Sequence, residues 1–117
     1  MPYARIEIAT GRSPQEKSAL LAAVDAAFVA TLGVPPKDAF LRLFEFAPEN
    51  AQVPPHHGPR FTFVEVQLFA GRDEATKAAL YAALREGLGA LGVPAADLTI
   101  ALIDLPRRDW GIAGATF

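Results

Sequence analysis

The chain has 117 residues, 51% of them hydrophobic and 21% charged, with a formal net charge of −2; this is the size of one domain, apolar enough to bury a core. No basic tract is present to clasp phosphate, which excludes nucleic acid as the main partner. The lack of cysteine excludes disulfides, thiolate catalysis and thiolate metal sites, and no apolar run approaches the length of a membrane span.

From the start of the chain, Ala4, Ile6 and Ile8 alternate with Tyr3, Arg5 and Glu7, the period of a strand. The opening stretch MPYARIEIAT has neither the basic nor the apolar region of a secretory signal, so a cytoplasmic location is expected. Gly11 ends the strand. Ser13-Pro14-Gln15-Glu16 then reads as a capping box with proline at the first helical position. Leu20, Leu21, Val24, Ala27, Phe28 and Leu32 follow at helical spacing, until Gly33 and Pro35-Pro36 stop the helix. Phe40–Phe46 is a second strand. Residues 47–60 hold four prolines and no periodicity, which predicts a linker loop. Phe61–Phe69 is the third strand. Asp73 caps a second helix striped by Leu80, Leu84, Leu88 and Leu91, and Leu98–Leu105 is the last strand.

The chain is one unit written twice. Gly11-Arg12 with Lys17, Ala19 and Leu20 recurs as Gly71-Arg72 with Lys77, Ala79 and Leu80; Leu32-Gly33-Val34-Pro35 recurs as Leu91-Gly92-Val93-Pro94; Asp38 recurs as Asp97. Strands joined by a helix run parallel with a right-handed crossover. The expected fold is therefore a single α+β domain over residues 1–117. Its β-α-β units span 2–46 and 61–105 and build a four-stranded mixed sheet with both helices on one face. Strands Phe40–Phe46 and Phe61–Phe69 carry large apolar residues at both parities, so the second face calls for another cover, which oligomerisation supplies.

Met1-Pro2 before a short strand, then Gly11-Arg12-Ser13 and a capped helix, resembles the 4-oxalocrotonate tautomerase superfamily. Gly33-Val34-Pro35 with Asp38, and Asp109-Trp110 near the end, are similar to the malonate semialdehyde decarboxylase branch of that superfamily. Trp110-Gly111-Ile112-Ala113-Gly114 resembles the aromatic-glycine segment of its short members. The resemblance implies removal of Met1, a catalytic amine on Pro2, a small oxo-acid substrate, no cofactor or metal, and a homotrimer.

The residues themselves carry this chemistry as follows. An α-amino group titrates near neutrality, at roughly 7.7–8.0 for model peptides. Pro2 as a free terminal amine is thus suited to take a proton from carbon beside a carbonyl, or to form an imine. Arg12 and Arg72 are repeat equivalents at strand-to-helix turns, and each reads either as a carboxylate clamp or as a solvated charge. Arg72 matches one arginine of the decarboxylase Arg-Pro-Arg; Ala70 stands at the other. Asp38 reads as a catalytic carboxylate or as a turn residue, and Thr62 stands where a second Pro2 would be. Phe40 occupies the position of a substrate-binding arginine in the short members. Arg42, on the same strand face, reads as its substitute or as a partner of Glu45 or Glu65. Trp110 reads as a pocket wall or as a hydrophobic anchor. His56-His57 has no acidic companion and reads as part of a solvated loop. The leading expectation is keto–enol tautomerisation of a 2-oxo acid by Pro2. The alternatives are decarboxylation or hydration of a small oxo or unsaturated acid through Asp38 and Arg72, and a non-catalytic trimer of the migration inhibitory factor type.

Overall fold

The computed structural model describes residues 2–116. The expected loss of Met1 therefore concerns a residue outside the described ones, as does the last position of the expected domain, Phe117. Chain order is β1 (Tyr3–Ala9), α1 (Pro14–Leu32), β2 (Phe40–Phe46), β3 (Thr62–Phe69), α2 (Glu74–Gly89) and β4 (Leu98–Leu105), followed by a small hairpin of β5 (Gly111–Ile112) and β6 (Ala115–Thr116). The main sheet has the order β2-β1-β3-β4. The pairs β1–β2 and β3–β4 are parallel, and the central pair β1–β3 is antiparallel. This is the mixed four-stranded sheet expected from two fused β-α-β units.

Local chemistry explains each boundary. Ser13 accepts from the Glu16 amide and Glu16 reaches back to the Ser13 amide, both at 3.1 Å, so the capping box is closed. Gly33 ends α1 with φ 70°, a left-handed conformation that suits glycine. Asp73 caps α2 by accepting from Thr76 N–H at 2.8 Å. The stripe of α2 needs one correction. Leu91 lies beyond the helix and is exposed; Val93, whose N–H bonds the Leu88 carbonyl at 3.1 Å, is the buried residue there. The chain turns back after Leu88, so helical spacing no longer applies.

Side-chain alternation splits the sheet into two unlike faces. Ala4, Ile6, Ile8, Val64, Val66 and Leu68 are fully buried beneath Leu20, Val24 and Phe28 of α1 and Leu80, Leu84 and Leu88 of α2. The other face has no helix. It carries Tyr3, Arg5 and Glu7, Phe40, Arg42, Phe44 and Phe46, and Phe63, Glu65 and Phe69, with Phe40, Phe44 and Ile103 exposed. Ion pairs are duplicated with the fold: Lys17 with Glu45, and Lys77 with Asp104.

Residues 47–60 are more ordered than a simple loop. Pro48–Asn50 forms a 3-10 turn after β2, just as Arg107–Asp109 does after β4. The repeat therefore continues past each second strand, hidden in the sequence because the two turns share no residue identities. The return path is latched by Asp97, which is buried and accepts from Gly58 N–H at 2.7 Å and Arg60 N–H at 3.2 Å. A Cβ on Gly58 would meet both Asp97 oxygens at 3.1 Å, so glycine permits the close approach.

Two outcomes follow. Asp97→Ala strands two amides and costs about 2 kcal/mol, and hydrogen exchange speeds up at Gly58 and Arg60 while the helices stay protected. The Asp73 and Glu16 carboxyls are held below the usual carboxylate range, chiefly by hydrogen bonds from the Thr76 and Ser13 backbone respectively. A depressed folded value stabilises above the unfolded one, and that stability is lost as pH falls through the folded value. Asp73→Asn, which keeps an N-cap, accordingly shows a flatter loss of thermal stability between neutral pH and the acid range than the parent.

Candidate active site

Pro2 precedes β1 on the parity of Ala4, Ile6 and Ile8 and is buried. Its carbonyl accepts from Phe40 N–H at 3.0 Å. Because β1 runs antiparallel to β3, with Tyr3 opposite Gln67, the start of β1 lies at the end of β3. There Ala70-Gly71 turns the chain into α2, Gly71 taking φ 124°. The parallel partners bring the start of β2 and the end of β4 to this same end. Pro2, Asp38, Phe40, Arg72 and Trp110 are thereby gathered from four separate stretches of sequence at one end of the sheet.

Arg72 is half-buried, and its Nη1 donates to the Phe69 carbonyl at 3.2 Å. This contact fixes the guanidinium at the turn and commits one of its five donors. Phe69 is also the centre of an aromatic group that the sequence reading missed. Trp110 meets its ring edge-on at 5.3 Å, and Arg107 lies over it at 4.4 Å. Trp110 is further held by its indole N–H, which donates to the Leu105 carbonyl at 3.4 Å. The signal for Phe69 was its place as the last residue of an alternating strand, on the face away from the helices.

Asp38 is exposed, on a turn closed by its own N–H to the Pro35 carbonyl at 3.2 Å. Lys37 before it takes φ 63°, and its N–H is received by the Asp25 carboxylate at 3.1 Å. Among the described residues the Asp38 carboxylate has no hydrogen-bond partner. Its repeat equivalent Asp97 spends both oxygens on the linker. Both aspartates close the same backbone turn, Asp97 N–H donating to the Pro94 carbonyl at 2.9 Å, but only the Asp97 side chain holds the linker, and Asp38 keeps an uncommitted carboxylate at the Pro2 end.

Phe40 is 52% exposed and stacks on Tyr3 at 5.3 Å. Arg42 shares its face, as expected, but among the described residues it pairs with neither Glu45 nor Glu65. Its guanidinium lies over Tyr3 at 4.6 Å and Phe44 at 5.3 Å, and Nε is buried without a partner. Glu45 sits on the helix face, where Lys17 reaches it at 2.6 Å. Strand parity separates the two, since neighbouring residues point to opposite faces.

Arg12 does not join Pro2 within the chain. Seven residues of β1 part them, roughly 25 Å at the rise of a strand, and Arg12 lies by Gly11, Pro59 and Arg60 at the opposite end. It is buried; that burial, and secondarily Arg60, pull its guanidinium below the ordinary value. Among the described residues its Nη2 has no hydrogen-bond partner. The reason is the antiparallel joining of the units: the first unit supplies Pro2 and the second supplies Arg72 at the same end of the sheet. The linker histidines also divide. His56 is exposed, as a solvated loop residue should be, but half-buried His57 places Nε2 3.4 Å from Thr99 Oγ1. Among the described residues no three His, Asp or Glu side chains converge as a metal site would require, and no helix is long and apolar enough to cross a membrane.

Comparison with known proteins agrees with this geometry. Two family models, both described as tautomerase enzyme, match residues 38–113 and 2–57. A 2-hydroxymuconate tautomerase from Comamonas testosteroni is 33% identical over 55 residues, 46% of this chain and 87% of that protein. Among solved structures, FG41 malonate semialdehyde decarboxylase inhibited by 3-bromopropiolate aligns with TM-score 0.87 and 28% identity, covering 95% of this chain and 88% of its own. The Q0 fused 4-OT symmetric trimer aligns with TM-score 0.87 and 34% identity, covering 97% and 94%. With its two β-α-β units back to back and Pro2 at the shared end, the chain belongs to the tautomerase superfamily.

Proposed function

We propose that this protein is a tautomerase acting on a 2-oxo acid, with the Pro2 amine as the group that moves the proton. The observation that carries the reading is the burial of Pro2 at the sheet end that also holds Arg72. Once Met1 is removed, Pro2 carries a secondary amine in an apolar setting, which favours the neutral, basic form. That amine takes a proton from the carbon beside the substrate carbonyl. Negative charge passes to the carbonyl oxygen, and the new ammonium returns the proton there, giving the enol; the reverse sequence returns the keto acid. Arg72 holds the substrate carboxylate or the enolate oxygen through the donors it does not spend on Phe69. Trp110 and Phe69 form a dry wall.

A homotrimer accompanies this reading. The open sheet face bears Tyr3, Phe40, Phe44, Phe46, Phe63 and Phe69 with no helix over them, and Phe40, Phe44 and Ile103 are exposed there, as a face that packs on another subunit would be. The fused 4-OT relative is a symmetric trimer. In such an assembly Phe40, Arg42 and Arg12 have a route to a neighbour's site that they lack within one chain.

A second reading has a specific observation in its favour. Asp38 keeps a carboxylate without a protein partner at the Pro2 end, as a decarboxylase or hydratase of a small oxo or unsaturated acid would use. Against it stands Ala70, where that branch has a second arginine.

The test is a substrate screen on protein whose intact mass shows Met1 removed. Loss of the phenylpyruvate enol is expected, falling at least 100-fold in Pro2→Ala. Arg72→Ala is expected to raise KM more than it lowers kcat, and Arg72→Lys to recover only part of the loss, because an ammonium cannot grip a carboxylate in two places. Retention of Met1, or full activity in Pro2→Ala, defeats the reading. Release of carbon dioxide from malonate semialdehyde that is lost in Asp38→Ala, without enol turnover, transfers the assignment to the second reading.

A further inference from the structure

The end of the sheet away from Pro2 holds an unbalanced charge. Arg12, in the turn between β1 and α1, is only 9% exposed, and among the described residues its Nη2 is buried without a hydrogen-bond partner. Its repeat equivalent Arg72 is less buried, yet has the Phe69 carbonyl to donate to. The more buried guanidinium is thus the one with an unmet donor, a costly arrangement for a charge taken out of water. Arg60 stands next to it. Both line a hollow of about 120 Å³, whose other walls are Ala9, Thr10, Gly11 and Pro59. Two like charges in one hollow repel, which adds to the cost.

The nearby carboxylates do not cancel these charges. The charged groups that act on Arg12 are Arg60, Glu16 and Glu45. Glu16 Oε2 lies 3.5 Å from Arg60, and its Oε1 accepts from Ser13 N–H. Glu45 is taken by Lys17 at 2.6 Å. Two guanidiniums therefore share one carboxylate, and one positive charge is left over. None of the aromatic residues of the open sheet face lines the hollow; its walls are the end of β1, the turn that follows and the end of the linker. Asp97 fixes that linker end through the Arg60 N–H at 3.2 Å. A larger hollow beside α1 is lined by Arg12 and Glu16 without Arg60, so an anion is favoured in the smaller one.

We propose that the space between Arg12 and Arg60 is a second, non-catalytic binding site for a small monocarboxylate. A planar carboxylate accepts from one N–H edge of each guanidinium. About 120 Å³ is the share of a few waters at about 30 Å³ each, room for a short-chain acid. One negative charge balances the one left over, whereas a phosphate dianion exceeds it. No proton transfer follows there. Thr62, which the repeat sets where Pro2 stands, is mid-chain and has no free amine, and its hydroxyl donates to the Arg60 carbonyl at 3.0 Å. The inference does not depend on Pro2 chemistry.

The test is an NMR titration of the full-length protein with sodium propionate at constant ionic strength, with propionamide and inorganic phosphate as comparisons. Saturable shifts are expected at the Gly11 amide and at the Nε–H groups of Arg12 and Arg60, with both comparisons at least tenfold weaker. The shifts persist in Arg72→Ala, which separates this site from the Pro2 end. Arg60→Gln keeps the backbone N–H that Asp97 holds; it is expected to weaken propionate at least tenfold and to leave oxo-acid turnover as it was. Propionate is also expected to raise the melting temperature of the parent by more than that of Arg60→Gln. Absence of saturable shifts, an equal response to propionamide, tighter binding of phosphate, or shifts confined to the Arg72 end would overturn the proposal. Loss of oxo-acid turnover in Arg60→Gln would overturn it as well, by giving this end of the sheet to a neighbour's catalytic site.

Discussion

The antiparallel pairing of β1 with β3 is the constraint on which the rest of the molecule depends. Each β-α-β unit alone is a parallel pair with one helix and cannot cover its own apolar strand edge. Joining the units through their first strands buries Ala4, Ile6 and Ile8 beside Val66, Val64 and Thr62 and lays both helices over one continuous core. The same pairing sets the beginning of one unit against the end of the other unit's first strand. Pro2 and the turn arginine Arg72, 70 positions apart in sequence, are thereby brought to the same end of the sheet. Had the units paired in parallel, Pro2 would face Thr62 and no arginine.

Duplication kept the scaffold and let the two ends diverge. Both helices keep a side-chain cap at their start, and both carry a lysine paired to a carboxylate on the following strand. Those features repeat because each unit must fold the same way. The ends differ in what their side chains hold. At the Pro2 end Asp38 keeps its carboxylate uncommitted. At the other end Asp97 is consumed in holding the return of the linker, and Thr62 bonds the carbonyl of Arg60.

Much of the fold was legible from local chemistry. Strand alternation, the Ser13 capping box, the Gly33 stop and the Asp73 cap all depend on residues within one or two turns of each other, so the sequence displays them directly. Pro2 and Arg72 could be paired only through the repeat and the family resemblance. What stayed hidden depends on parity and long-range register. Arg42 and Glu45 are three residues apart yet on opposite faces, and the rings that hold Arg42 belong to β1 and its own strand. Phe69 gains its place from a β3 end, a turn carbonyl and a C-terminal tryptophan, contacts no short window contains. Arg12 resembles Arg72 in every local respect; only the direction of the sheet separates their surroundings. Leu91 matched a helical spacing that the chain had already left.

The central claim is that the pairing of the two units presents a neutral Pro2 amine beside the Arg72 guanidinium. Reductive trapping with pyruvate tests it most directly. A neutral secondary amine condenses with the ketone to an iminium and water, and cyanoborohydride supplies the hydride that fixes the adduct. Mass spectrometry of the digest at neutral pH is expected to find the adduct on the peptide that begins at Pro2, with much less in Arg72→Ala, which cannot hold the carboxylate. Labelling confined to lysine peptides, or an N-terminal peptide still bearing Met1, would contradict the account.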